Sequence, residues 1–123
     1  MRIGLLTYHH SANYGAVMQS YATCRALKEL GHEVEFINFQ QDEKRSNNLI
    51  IFYFKIKAFD RFMETFYPSE TKVIQSMDDL NAIASNYDCL MVGSDQVWNP
   101  EISQSKCLAY FLDFGESDIR RIS

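Results

Sequence analysis

Two short stretches of the chain hold the side chains best suited to chemistry. Residues 7–16, TYHHSANYGA, set His9 and His10 beside Asn13, Tyr14 and Gly15. Residues 92–100, VGSDQVWNP, set Ser94, Asp95, Gln96 and Asn99 around Trp98, the only tryptophan. Imidazole titrates near neutrality, so His9 and His10 are candidate general bases, and the Asp95 carboxylate is a third. A polar cluster beside an exposed aromatic ring is the make-up of a shelf for a sugar. Each stretch also has a purely structural reading. Two adjacent histidines can be one packed and one solvated. Asn13 can cap a helix, and Asp95 and Asn99 can bond their own loop as Asx-turns, with Trp98 in the core.

Other chemistries lack support. Neither stretch has the G-x-G-x-x-G or Walker spacing, so a nicotinamide or ATP site is not indicated. The DFG at 113–115 stands without the other kinase segments and reads as chance. Cysteines 24, 89 and 107 form no C-x-x-C pair, no acidic cluster has ligand spacing, and the paired histidines lack a third partner. No metal and no cofactor is expected on that basis. A net charge of -4 over 123 residues leaves no basic stripe for nucleic acid. The longest apolar run, LIIFYF at 49–54, is far short of the roughly 20 residues of a membrane span. Free thiols and the lack of a leader pattern point to the reducing cytoplasm.

The elements that must position these residues read as α/β. With 46% apolar and 23% charged residues, the chain has the make-up of one packed domain, 1–123. IGLLT at 3–7 is a short apolar run of the kind found in buried parallel strands. GAVMQSYATCRALKELG at 15–31 reads as a helix with a stripe of Val17, Tyr21, Cys24 and Leu27, closed by a left-handed Gly31. EVEFINF at 33–39 is a second strand, which completes a βαβ unit. A long helix is expected over 49–67, with Phe52, Ile56, Phe59, Met63 and Phe66 on one face and Pro68 ending it. A short helix capped by Ser76 or Asp78 then leads to a central strand at 89–93, with further strand pieces at 110–115 and 120–123. In an open sheet of this kind, ligands bind beyond the carboxyl ends of the strands, where both polar stretches fall. A helix N-terminus there would favour an anion or a hydroxyl group, and Gly15 would let it approach the backbone.

Taken together, the stretch from LLTYHHSANYGA to GHEVEFINF and the later YDCLMVGSDQVWNP and YFLDF resemble the N-terminal part of the polysaccharide pyruvyl transferase family. N-Y-G-A, L-G-H-E-V and G-S-D-Q-V-W-N carry the resemblance, which spans essentially the whole chain and is least informative over 40–75. It implies a Rossmann-like open parallel sheet flanked by helices, as a partial N-terminal domain of a GT-B-like two-domain enzyme. It also implies transfer of a pyruvate ketal from phosphoenolpyruvate to a sugar of a cell-surface polysaccharide, as in exopolysaccharide biosynthesis. By that resemblance Asn13, Tyr14, Gly15, Ser94, Asp95, Gln96, Trp98 and Asn99 would line the cleft. Members are more than twice this length, so the second domain is expected to be absent from this chain.

Ketal formation needs cations for the donor's phosphate and carboxylate, an acid for its methylene carbon and a base for the sugar hydroxyl. No arginine lies in either loop. The expected division of labour puts the acceptor saccharide and the base (Asp95, with His9 or His10 as runner-up) on this half, and most of the phosphoenolpyruvate site on the other. The chain by itself would then be inactive. Two other readings fit the same residues. One is a GT-B-type glycosyltransferase piece that takes a nucleotide-sugar. The other is a non-catalytic α/β interaction module whose aromatic helix makes a homo-oligomer.

Overall fold

The computed structural model describes the chain except for residues 11–12, 41–56, 58–60, 63, 68, 94–95, 100 and 102–106, and the side chains of Gln96 and Cys107. Its frame is a four-stranded sheet, β1 (Arg2–Leu6), β2 (Glu33–Phe36), β3 (Cys89–Val92) and β4 (Arg120–Ile122), in the order β2-β1-β3-β4. All three pairings are parallel, with Leu5 opposite Phe36, Leu6 opposite Val92 and Met91 opposite Ile122. β1 lies inside the sheet, and its continuous apolar run is buried on both faces, as a central parallel strand requires.

Side chains alternate between two apolar layers. Leu6, Leu90 and Val92 face one layer, shared with Leu80, Ala84, Val97, Ala109 and Tyr110. Leu5, Val34 and Phe36 face the other, with Cys24, Leu27, Tyr67 and Met91. Helices cover both faces. α1 (Tyr14–Glu29) lies on the second layer, and α2 (Met77–Ala84) on the first.

α1 starts where Asn13, in an extended conformation, accepts from the backbone N–H of Gly15 at 2.8 Å and of Ala16 at 3.4 Å. Both donors would otherwise be orphans of the first turn. The helix ends in a Schellman motif. Gly31, at φ 84, donates to the Lys28 carbonyl, and His32 donates to that of Leu27. The buried face of α1 is Ala16, Val17, Ser20 and Cys24, with Tyr21 and Leu27 at its margins, so the apolar stripe runs about one residue from the one read from sequence. Ser20 is fully buried. Its hydroxyl donates to the Val17 carbonyl and meets the Tyr67 hydroxyl. α2 starts at Ser76, which accepts from the N–H of Asp79 at 3.1 Å, so Ser76 and not Asp78 is the cap.

The piece at 110–115 is no strand: Tyr110 ends a short helix, α3 (Cys107–Tyr110), and the chain then turns through Leu112 at φ 59. The Arg121 guanidinium holds that turn by donating to the carbonyls of Leu112, Phe114, Glu116 and Ile119. Residues 69–74, left unassigned by the pattern, run beside β2 through isolated parallel bridges, Phe36 with Glu70 and Phe39 with Ile74. In the 49–67 helix, Phe52, Ile56 and Phe59 lie outside the described residues, as does Met63. Residues 61–62 and 64–66 are helical; Phe66 packs edge-on to Tyr21 with ring centroids 5.8 Å apart, Phe62 does the same at 5.4 Å, and Phe66 remains half exposed. No helix among the described residues is long and apolar enough to cross a membrane.

Candidate functional site

The two polar stretches emerge from neighbouring strands. Chain order places β2 on one side of β1 and β3 on the other, so the carboxyl ends of β1 and β3 flank the point where the winding reverses. That is where open α/β sheets bind ligands. The loops start in contact. The Gly93 N–H donates to the Leu6 carbonyl at 3.0 Å, and a Cβ on Gly93 would lie 2.6 Å from Thr7 Oγ1 and 2.8 Å from Gln19 Nε2. Only glycine permits that approach. Thr7 is itself buried and donates to Gln19 Oε1, and Gln19 donates on to Thr23. The first loop, the second loop and α1 are thereby joined at one place.

Beyond Thr7 the first loop sends successive side chains to opposite faces. Tyr8 packs on Tyr110, with ring centroids 4.9 Å apart. The Tyr110 carbonyl accepts the indole N–H of Trp98 at 3.1 Å. Trp98 ends the 3-10 turn Gln96–Trp98, is 50% exposed, and stacks parallel to Phe111 at 6.3 Å. It is therefore not a core residue; Val97 fills the core instead. Asn99 accepts from the N–H of Glu101, which is the Asx-turn read from sequence. Ser94 and Asp95 lie outside the described residues, and Gln96 is described by its backbone alone.

His9 goes the other way. It is 2% exposed, with its ring against Phe36 at 4.8 Å and near Tyr67 at 6.1 Å. Its Nδ1 lies 2.9 Å from the Thr7 carbonyl, which can only accept, so Nδ1 carries the proton. Its Nε2 faces Glu70 Oε1 at 2.8 Å. The same carboxylate oxygen takes the Nε2 of His10, whose side chain is 34% exposed. One histidine is thus packed and one partly solvated. Half-burial alone would raise the Glu70 pKa. The hydrogen bonds from His10 and His9, and then their charge, outweigh it and bring it down to about 2. Both histidines present Nε2 to Glu70, on the Phe36 and Tyr67 side of β1, away from the Trp98 side.

Asn13 acts as the α1 cap, and Tyr14 is largely exposed beside it. Among the described residues, Gly15 has only Asn13 Oδ1 close to where a Cβ would be, at 3.2 Å. Glu70 had no sequence signal. It stands 60 residues from His10 and is delivered by the bridge to Phe36, with backbone bonds from Phe36 to Ser69 and from Thr71 to Phe36 on either side. Three of the described arginines are engaged within this domain: Arg2 pairs with Glu35 at 2.9 Å, Arg25 with Glu29 at 2.9 Å, and Arg121 with its carbonyls.

A four-stranded parallel sheet flanked by helices defines an α/β domain. A sequence model of the family described as polysaccharide pyruvyl transferase matches residues 13–122. The chain belongs to that family, and the family makes it a transferase by kind. No match to it was found among curated proteins or among solved structures.

Proposed function

We propose that this chain contributes the acceptor side of a pyruvyl transferase, which moves an enolpyruvyl-derived group from phosphoenolpyruvate to two hydroxyls of a polysaccharide sugar as a pyruvate ketal, protonating the methylene carbon and releasing phosphate. The observation that carries this reading is the half-exposed Trp98, stacked on Phe111 and held by the Tyr110 carbonyl, beside the junction of the two loops. A flat ring with one face supported and much of its surface open suits the apolar face of a sugar. Polar side chains on the same loop, Ser94, Gln96 and Asn99, suit its hydroxyl groups.

The base in this scheme is Asp95, which takes the proton of the attacking hydroxyl. His9 is a poor alternative because it is buried and both its ring nitrogens are engaged. His10 is disfavoured too, since its Nε2 is directed to Glu70. The donor carries a phosphate and a carboxylate that need cationic partners. With Arg2, Arg25 and Arg121 engaged, those partners belong to a second lobe of a GT-B-like arrangement, and this domain alone does not turn over. Asn13, Tyr14 and Gly15 border the acceptor from the first loop.

Trp98 is the sole tryptophan, so the emission of the chain reports on the shelf directly. Titration with galactose- and N-acetylhexosamine-containing oligosaccharides should shift or quench that emission, and phosphoenolpyruvate alone should not. A response to phosphoenolpyruvate with none to any saccharide would reverse the assignment of donor and acceptor sides.

A further inference from the structure

We infer that His9, His10 and Glu70 form a three-ligand site for a divalent cation of the zinc class, on the opposite side of β1 from Trp98. The two Nε2 atoms and a Glu70 carboxylate oxygen all lie within 4.8 Å of one another. A tetrahedral ion with bonds of about 2.0–2.1 Å holds its ligand atoms roughly 3.3 Å apart. The three atoms therefore need only a small withdrawal of Glu70 to surround an ion. That side chain is part-exposed and has room to adjust.

His9 is oriented as a metal ligand is. Its Nδ1–H is fixed on the Thr7 carbonyl, so Nε2, aimed at the cluster, is the nitrogen that would give up its proton to an incoming ion and ligate it. A backbone carbonyl behind a ligating histidine is the usual outer-shell arrangement. Phe36 and Tyr67 hold the ring in place, and the His10 ring lies 4.5 Å from it. The donor set of two imidazoles and one carboxylate suits zinc, cobalt or nickel, whereas magnesium and calcium prefer oxygen alone. Three protein ligands leave a fourth position open on the side where His10 and Glu70 reach solvent. The ion would also fasten the 69–74 segment to the end of β1 across a sequence gap of 60 residues.

The competing account is a protonic cluster, in which imidazolium N–H groups donate to Glu70 and no metal is needed. Metal alone separates the two and does not depend on the pyruvyl-transfer reading. Chelator-stripped chain carrying Cys107→Ser, which removes a thiol that could compete for the ion, is titrated with zinc(II) by calorimetry and with cobalt(II) by visible absorption. The expected result is saturable one-to-one binding, tetrahedral cobalt bands and a raised melting temperature. Glu70→Gln and His10→Ala should each weaken binding by roughly tenfold or more. Both residues are part-exposed, so these variants are expected to fold, which circular dichroism checks. His32→Ala, at the far end of α1, should bind as the parent does. Absence of saturable binding, or binding indifferent to Glu70→Gln and His10→Ala, overturns the site in favour of the protonic cluster.

Discussion

Gly93→Ala tests the contact on which the candidate site depends. The new Cβ would lie 2.6 Å from Thr7 Oγ1, 2.8 Å from Gln19 Nε2 and 2.9 Å from Thr7 Cβ. The Gln19 amide can swing away. Thr7 cannot, because it is 3% exposed and directly follows β1. Rotating its hydroxyl aside breaks the bond to Gln19, a loss of about 1 kcal/mol, and still leaves Cβ against Cβ. Overpacking of this kind costs about 1–3 kcal/mol, so the sum is about 2–4 kcal/mol. For a chain of this size that lowers the melting temperature by roughly 8–15 °C. Urea unfolding followed by circular dichroism reads the loss as a lower midpoint at unchanged slope. In a Thr7→Ala background, which removes the nearest atom, the same change should cost at least about 1 kcal/mol less. If Gly93→Ala stays within about 0.5 kcal/mol of the parent in both backgrounds, the two loops do not meet as described and the shared site fails with them.

Other expectations are more local. Asn13→Ala removes the acceptor for two first-turn donors and should cost about 1 kcal/mol in urea unfolding, with Asn13→Asp close to neutral. Burial, and then the hydrogen bond it donates to Glu35, raise the Tyr87 hydroxyl pKa well above the ordinary tyrosine value. Its stabilisation is therefore fully present below about pH 10 and is lost as pH rises from there toward the folded value; Tyr87→Phe should flatten the alkaline arm of the stability profile. Arg121→Lys supplies one compact ammonium where a planar fork meets several carbonyls, and should cost about 1–2 kcal/mol by the same measurement. In a full-length transferase with this domain, Asp95→Asn should cut phosphate release from phosphoenolpyruvate by roughly 10²-fold or more, and a near-parental rate would remove Asp95 as the base.

What was legible in the sequence was whatever depends on neighbours along the chain. The apolar run of β1, the Asn13 cap and the Gly31 terminus are local physics, and each lies where periodicity and residue type put it. The paired histidines also divided into one packed and one part-exposed ring, although both reach the same Glu70 oxygen. Glu70 was not legible, since a parallel bridge to Phe36 obeys no spacing rule. The apolar YFL at 110–112 looked like a strand because apolar content alone cannot tell a buried strand from a helix end and a turn; carbonyls gathered by Arg121 decided it. The polar stretch at 94–99 showed its residue types but left Trp98 open between an exposed shelf and the core, and the ring is exposed.

The hydroxyl pair formed by Ser20 and Tyr67 has a mechanical consequence. It sits in an otherwise oily layer beneath α1, where each oxygen has somewhere to go only at one angular setting of the helix. A slip or roll of α1 would strand the buried Ser20 hydroxyl without water to replace the lost partner, and apolar neighbours alone would offer no such resistance. The amino end of α1 is thus pinned in azimuth before anything docks there. Any ligand-driven motion of the Asn13 end must carry Tyr67 along with the helix as one rigid piece.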